Sequence, residues 1–273
     1  MQTGNSSLEN QSVPYANWPL YIGKPDVPLD VRENVFALAL MAAVGSLFAI
    51  PGMISYYVKS RSSLALLSLV YVITTTCALM SSVFFEFRSK NTSLVSVYHN
   101  ASELMFLLFA ISKGSLKMWH LTFLGIHITL ISLVIVLLPN EKGLSFMAFG
   151  IAGQIVDILV FSMWFLLLWE NRRNPGSSGQ RSGLLLFCIA SFLHGLGAAI
   201  YGLRFLKGDW WMVVQSALFS IFTVFSIHLT GFAVRIFERA PYDLKWTVAW
   251  WKWIPSGLLC IAIAAFILVL KFQ

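Results

Sequence analysis

The sequence predicts an all-α fold, a polytopic helical membrane bundle of seven or eight transmembrane helices with an extracellular or lumenal N-terminus. Hydrophobic residues make up 58% of the 273 residues and charged residues only 11%, whereas soluble domains are roughly a quarter charged. Eight apolar segments meet or approach the roughly 20 residues that a helix needs to cross a bilayer. Four glycosylation sequons, which function only on the lumenal side of a membrane, set the orientation.

The sequons lie in two regions, the N-terminal tail and one later loop. Asn5 and Asn10 belong to the tail, and Asn91 and Asn100 flank the third apolar segment. Asn100 is the least favourable acceptor, because it lies too close to the predicted membrane surface. All four fall on one side when the chain is threaded with its N-terminus outside, which predicts a glycoprotein.

The chain divides into a glycosylated tail, residues 1–33, and a transmembrane helical domain, residues 34–270. Polar residues are concentrated in the third span, so that span must be shielded from lipid by other helices. Pro51-Gly52 predicts a kink in the first span. Whether the last segment crosses the membrane is left open. The predicted spans are 34–57, 63–84, 95–113, 118–138, 145–169, 184–205, 211–235 and 248–270.

The net charge of +7 does not indicate nucleic-acid binding, because the basic residues flank the apolar runs, where they influence topology. The partners expected are membrane lipids and either a protein partner or a second copy of the chain. The location expected is the plasma membrane or an endomembrane of the secretory pathway.

No catalytic motif is visible in the sequence, so no catalytic residue is predicted and no cofactor is identified. The three cysteines, Cys77, Cys188 and Cys260, lie inside apolar segments without metal-ligand or disulfide spacing. Phosphate-binding glycine loops and hydrolase triads are not recognisable.

A group of ionisable residues at membrane depth is the main candidate for a functional site. At a rise of 1.5 Å per residue, His127, Asp157 and His194 reach about the same depth, near the bilayer midplane. Gln154 lies one turn from Asp157, and Glu103 enters from the third span on the external side. The sequence therefore predicts an intramembrane polar cluster from three or four helices.

Three interpretations of this cluster compete. In the first, the polar side chains only hydrogen-bond helices together. In the second, Asp157 titrates against His127 or His194 in a proton or ion relay. In the third, His127, Asp157 and His194 hold a metal such as Zn²⁺. The metal signal is weak, because these ligands come from three separate helices without a local i, i+4 pair.

The segment from His194 to Gly231 resembles the last two helices of the myomaker and post-GPI-attachment lipase branch of a membrane hydrolase superfamily. That superfamily also contains the alkaline ceramidases and adiponectin receptors. The shared features are a helix ending Gly197-Ala198-Ala199-Ile200-Tyr201, then Asp209 with Trp210 and Trp211, then a helix bearing Ser216. The resemblance implies seven helices with an external N-terminus, which spans one to seven provide.

The chain departs from that family at its zinc ligands. Gln215 and Phe219 stand where the family has a His-x-x-x-His pair, and residues 74–77 replace its second-helix histidine. The resemblance therefore implies a member without the zinc ligands of the family, with a lipid-binding or fusion-type role. The first hypothesis is a non-catalytic multi-pass membrane protein that acts through lipids or a partner protein. The alternatives are a proton-linked carrier or channel and a metal-dependent membrane lipid hydrolase.

Overall fold

The computed structural model describes residues 29–84, 90–138, 144–173, 178–203, 209–239 and 244–272, and these ranges consist mainly of α-helices joined by short turns, without any strand. The predicted all-α class is confirmed. Residues 1–28, which include Asn5 and Asn10, lie outside the described residues, and residues 29–33 of the predicted tail belong to α1. The helices are α1 Leu29–Leu47, α2 Ala49–Ser60, α3 Ser63–Phe84, α4 Lys90–Ile111, α5 Met118–Leu137, α6 Leu144–Glu170, α7 Ser178–Leu203, α8 Asp209–Arg239 and α9 Ile254–Phe272.

Among the described residues, seven helical stretches are long and apolar enough to cross a membrane, as the sequence predicts for spans one to seven. The first of them, Glu33–Ser60, runs through both α1 and α2. The eighth apolar stretch, Trp250–Phe266, is shorter; it begins with a 3-10 turn and continues as α9. α9 packs on α6, where Ser256 donates a hydrogen bond to Ser162 at 2.6 Å. That this segment crosses the membrane stays a prediction.

The break between α1 and α2 falls at Phe48, three residues before Pro51. Proline has no backbone N–H, so it cannot donate to the carbonyl of Leu47 one turn earlier. The interruption that Pro51 causes therefore falls one turn before it, while Phe48 keeps helical backbone angles. The predicted kink at Pro51-Gly52 stays a prediction.

α8 and the first span run parallel, which fixes the relative direction of the helices. Three hydrogen bonds from α8 side chains to backbone carbonyls of the first span follow the same order along both elements. They run from Ser220 to Leu38, from His228 to Gly45 and from Arg235 to Gly52. The end of the bundle at which α1 and α8 begin, predicted to be external, is called the outer end below. The opposite end is called the inner end.

α8 makes its longest contact with α7, where glycines allow close approach. A Cβ added at Gly183 would lie 2.9 Å from the backbone of Phe237, and one at Gly197 would lie 3.2 Å from the Cβ of Phe222. The small residues of α7 thus serve helix packing, as in other membrane bundles.

The core changes character along the bundle axis. Towards the outer end the buried positions are rich in polar side chains, and towards the inner end they are large and apolar. Trp164 and Phe187 stack there with ring centroids 4.3 Å apart, and Phe106 packs edge-on against Trp164. The polar half therefore ends on a layer of aromatic rings.

A segment after α8 is tied across the inner end. Asn171 donates to the carbonyl of Lys245 at 3.1 Å and accepts from its backbone N–H at 2.8 Å. Trp246 then packs edge-on against Phe109 and also contacts Gly114, whose φ of +78° lies in the region that favours glycine. The aromatic layer is thus covered from the inner end.

Candidate intramembrane metal centre

The centre of the site is a pair of residues on one face of α4. His99 and Glu103 are four residues apart, so they lie one above the other on the helix surface. Both are buried, with relative exposures of 6% and 4%. α4 is also the most buried of the seven candidate spans. The expectation that the third predicted span is shielded by its neighbours is therefore met.

His194 on α7 faces this pair across the bundle interior. Its Nε2 lies 2.8 Å from Nε2 of His99 and 3.7 Å from Oε1 of Glu103. Glu103 Oε2 in turn lies 3.6 Å from Nε2 of His99. Two imidazole nitrogens and a carboxylate thus converge, with one ligand atom from each residue within 4.8 Å of the others.

Asp157 on α6 forms the next side of the cluster. Its Oδ1 lies 4.0 Å from Nε2 of His194. Gln154, one turn earlier, donates to Oδ2 of Asp157 at 3.2 Å. Gly195 allows α7 to approach, since a Cβ there would lie 3.2 Å from the Cβ of Asp157.

Thr75 on α3 fixes the orientation and the tautomer of His99. Its hydroxyl donates its one proton to the carbonyl of Tyr71 at 2.7 Å, a common bond to the preceding helical turn. The Thr75 oxygen, 2.9 Å from Nδ1 of His99, must then be an acceptor. His99 therefore carries its proton on Nδ1 and presents the lone pair of Nε2 to the cluster.

Tyr71 closes one side of the site. Its ring centroid lies 5.5 Å from that of His99 and 6.2 Å from that of His194. Its hydroxyl lies 2.9 Å from the hydroxyl of Ser226 on α8, in a buried hydrogen bond. Side chains from five helices, α3, α4, α6, α7 and α8, thus meet around the two imidazoles.

Two buried atoms of the cluster have no hydrogen-bond partner among the described residues: Oε2 of Glu103 and Nδ1 of His194. Buried polar atoms are nearly always paired, so unpaired ones require an explanation such as a bound ion or water. Without an ion, Nε2 of His194 donates to Nε2 of His99.

The spacing of the side chains also fits a metal ion. Zn–N and Zn–O bonds of about 2.0–2.2 Å place tetrahedral ligand atoms roughly 3.3 Å apart. Oε2 of Glu103 lies 3.6 Å from Nε2 of His99, and its other oxygen, Oε1, lies 3.7 Å from Nε2 of His194; both distances are close to that separation. The 2.8 Å between the two imidazole nitrogens is about half an ångström shorter than that separation, so the rings would have to move apart to hold an ion.

The structure brings together four of the five predicted cluster residues: Glu103, Gln154, Asp157 and His194. The fifth, His127, is half-buried on α5, the least buried of the candidate spans. Within the described part of the chain it makes no hydrogen bond or ion pair with the cluster. The group that could hold a metal ion is His99, Glu103 and His194, so His99 and Glu103 stand where the sequence predicts His127 and Asp157.

Sequence reasoning missed His99, Thr75 and Tyr71. The signal for His99 was present, since His99 and Glu103 form the local i, i+4 pair that metal sites often use. Thr75 and Tyr71 carried no comparable signal, because hydroxyl side chains in apolar helices mostly bond their own backbone.

The described sequon asparagines and the three cysteines lie outside the cluster. Asn91 is exposed at the second residue of α4, whereas Asn100 is buried in the bundle, close to Gly153 of α6. Of the cysteines, Cys77 is exposed, and Cys188 and Cys260 are buried and unpaired.

No protein-family model, no curated protein and no solved structure matches the chain.

Proposed function

We propose that the protein is a metal-dependent membrane hydrolase in which His99, Glu103 and His194 hold a divalent ion, with Zn²⁺ as the first candidate. The observation that carries the proposal is the convergence of two imidazole Nε2 atoms and one carboxylate in a buried site. Two histidines and a carboxylate are a ligand set of catalytic zinc sites, which leave one position for water or substrate.

The surroundings of the ligands support metal binding over simple helix packing. The Nδ1–H of His99 is held by Thr75, so the nitrogen that faces the cluster is unprotonated. Metal-bound histidines characteristically make such a second hydrogen bond, which fixes the tautomer. Unpaired Oε2 of Glu103 has the free lone pairs that a ligand needs.

Asp157 supports hydrolysis over a purely structural metal. It lies beside the ligand set without belonging to it, so its carboxylate remains available to accept a proton. Gln154 holds one of its oxygens in place. A bound Zn²⁺ supplies Lewis acidity and activates water for attack on a carbonyl. The position of the site inside an apolar bundle favours lipid amides or esters as substrates.

The resemblance to the ceramidase and adiponectin receptor superfamily implies a chain without the zinc ligands of that family, so a metal centre in this chain needs a different ligand set. Gln215 replaces one family histidine and is buried on α8, while His99 and His194 provide two imidazoles from α4 and α7. On this proposal the chain has lost the histidine pair of the family and keeps a metal centre built elsewhere in the bundle.

The deciding experiment is the metal content of the purified protein, measured by elemental mass spectrometry. We expect near-stoichiometric zinc in the wild type and in His228→Ala, a control histidine that contacts the Gly45 carbonyl. We expect background levels in His194→Ala. Equal zinc in wild type and His194→Ala, or no zinc after incubation with the ion, would overturn the proposal.

Hydrolysis needs its own measurement on the metal-loaded protein. We expect release of fatty acid from lipid amides or esters in mixed micelles, and loss of that activity on chelation. Asp157→Asn should keep the metal and lose most of the turnover. Zinc binding without cleavage of any of these lipids would support the metal centre and refute the proposed hydrolase activity.

A proton relay is the second candidate, favoured by the His99–His194 hydrogen bond and by Asp157 next to it. It predicts proton flux in proteoliposomes without zinc, abolished in a folded Asp157→Asn variant. Normal flux in that variant would reject the relay. The non-catalytic role in lipid or partner binding predicts neither zinc nor flux.

A further inference from the structure

Exposed basic side chains meet at one junction on the inner end of the bundle. Lys245 is fixed to the end of α6, because its backbone N–H donates to the side chain of Asn171 at 2.8 Å. Trp246, the next residue, packs against Gly114 just after α4. Lys113 precedes Gly114, so Lys113 and Lys245 lie close to each other, and both side chains are exposed.

Two guanidinium groups adjoin this junction. Arg172, the residue after Asn171, stacks over the ring of Trp169 at 3.8 Å and donates to the carbonyl of Trp169 at 2.7 Å. Arg181, near the start of α7, donates to the carbonyl of Arg172 at 3.1 Å. Each bond uses one of the five N–H donors of its guanidinium, and apart from Nε of Arg181, which is buried, the others make no hydrogen bond to a described residue. Both groups are thus held in place, which lowers the cost of ordering them around a ligand.

Positive charge exceeds negative charge at the junction. Glu170 is the only acidic residue described in the segments that meet there. It pairs with Lys252, and its Oε2 lies 3.7 Å from Nζ of Lys245. Arg172 and Arg181 make no ion pair with any described residue. The junction therefore has the charge and the donors to bind an anion.

Exposed tryptophans place the junction at the level of the lipid headgroups. The exposed fractions of Trp169, Trp250 and Trp251 are 48%, 79% and 56%, and tryptophan is enriched where a membrane meets water. Trp251 is held beside the end of α6, because Nζ of Lys252 lies 5.4 Å from the centre of its ring and also binds Glu170. At this depth the anions that basic side chains meet are those of lipid headgroups.

We propose that Arg172, Arg181 and Lys245 bind the phosphate group of an anionic lipid headgroup, and that they prefer a phosphomonoester. A guanidinium fork matches the oxygens of a phosphate, and lysine adds a point charge. A phosphomonoester carries about −1.5 to −2 charge at neutral pH, whereas the phosphodiester of an ordinary phospholipid carries a single charge. Two guanidiniums without a carboxylate partner therefore favour the monoester. The site needs no metal, so it stands apart from the proposed hydrolase.

Native mass spectrometry of the purified full-length protein tests this site. The protein is titrated with short-chain phosphatidic acid, a phosphomonoester, and with phosphatidylserine, an anionic phosphodiester. The double variant Arg172→Gln, Arg181→Gln removes both guanidinium charges and keeps an amide donor at each position. Lys59→Gln is the control, because Lys59 is exposed at the inner end of α2. Unchanged thermal unfolding checks the fold, and Arg172→Gln alone, at an exposed position, replaces a double variant that does not fold.

We expect the wild type and Lys59→Gln to bind phosphatidic acid more tightly than phosphatidylserine. Phosphatidic acid should bind about 10- to 30-fold more weakly to the double variant, and Arg172→Gln alone should lose part of that affinity. Equal affinity for the two lipids in the wild type would overturn the preference for a phosphomonoester. An equal loss in Lys59→Gln, or no loss in the arginine variants, would overturn the location of the site. Displacement of the lipid by an equimolar amount of inorganic phosphate would overturn a lipid as the ligand. Metal content enters none of these results, so the lipid site and the metal centre can fail separately.

Discussion

His99 and His194 face each other across 2.8 Å although 95 residues separate them in the chain. Each ring is fixed on its own helix, α4 and α7, and Glu103 contacts both at under 4 Å. A hydrogen bond between the two rings accounts for their short separation. It does not account for Oε2 of Glu103 and Nδ1 of His194, which are buried without partners among the described residues.

The choice between His99 and His127 as a metal ligand gives the first prediction. Cobalt(II) bound by imidazoles absorbs in the visible region, so a titration of the apo protein reports on the ligands. We expect the bands to disappear in His99→Ala and to remain in His127→Ala, because only His99 belongs to the ligand set. The reverse result would show that the ligand set is wrong.

Thr75 gives the second prediction, since it would act on the proposed metal centre through His99. Thr75→Val should lower zinc affinity about 10- to 100-fold, the usual effect of removing a second hydrogen bond to a ligand histidine. Competition with a chromophoric chelator measures it. Thr76→Val is the matched control, because Thr76 is equally buried and its hydroxyl bonds the carbonyl of Val72. Equal affinities in the two variants would contradict the role of Thr75.

Gly195 gives the third prediction, on the packing of α7 against α6. Gly195→Ala places a methyl group 3.2 Å from the Cβ of Asp157, and overpacking of this kind costs about 1–3 kcal/mol. We expect a lower unfolding temperature together with weaker metal binding. Gly150→Ala, which meets nothing within 4 Å, should leave both unchanged or stabilise α6. An unaffected Gly195→Ala would argue against the close contact.

Asn171 gives the fourth prediction, on the segment that covers the inner end. Asn171→Ala removes both hydrogen bonds to the backbone of Lys245, so we expect a loss of about 1–3 kcal/mol. Faster proteolysis between α8 and α9 should accompany it. Arg173→Ala, an exposed neighbour, is the control. Zinc content should stay the same in both, because the aromatic layer separates the segment from the cluster.

A rise of 1.5 Å per residue places His127, Asp157 and His194 at similar heights from the sequence alone. The 4.0 Å between Oδ1 of Asp157 and Nε2 of His194 agrees with that prediction for these two residues. Height does not state which way a side chain points, nor which helix lies at the edge of the bundle. Because α5 lies at the edge of the bundle, His127 is only half-buried. His99, on the central α4, occupies the position in the cluster that the sequence predicts for His127.

The sequence indicated a metal site only weakly, because it does not show which helices are buried. Asp157, His127 and His194 lack a local pair, whereas His99 and Glu103 have one. Their pairing is visible in the sequence only once α4 is known to be buried, since a His and a Glu four residues apart occur on many solvated helices.

The sequence by itself determined the all-α class and the seven long apolar helices, because burial of an apolar chain in a bilayer leaves helices as the simplest way to pair every backbone group. The tertiary structure alone decided which polar side chains meet. Helix packing sets the rotation of each helix about its axis, and Gly195 sets how closely α7 approaches Asp157. The imidazoles of His99 and His194 therefore converge through contacts between helices distant in the chain, which no local pattern encodes.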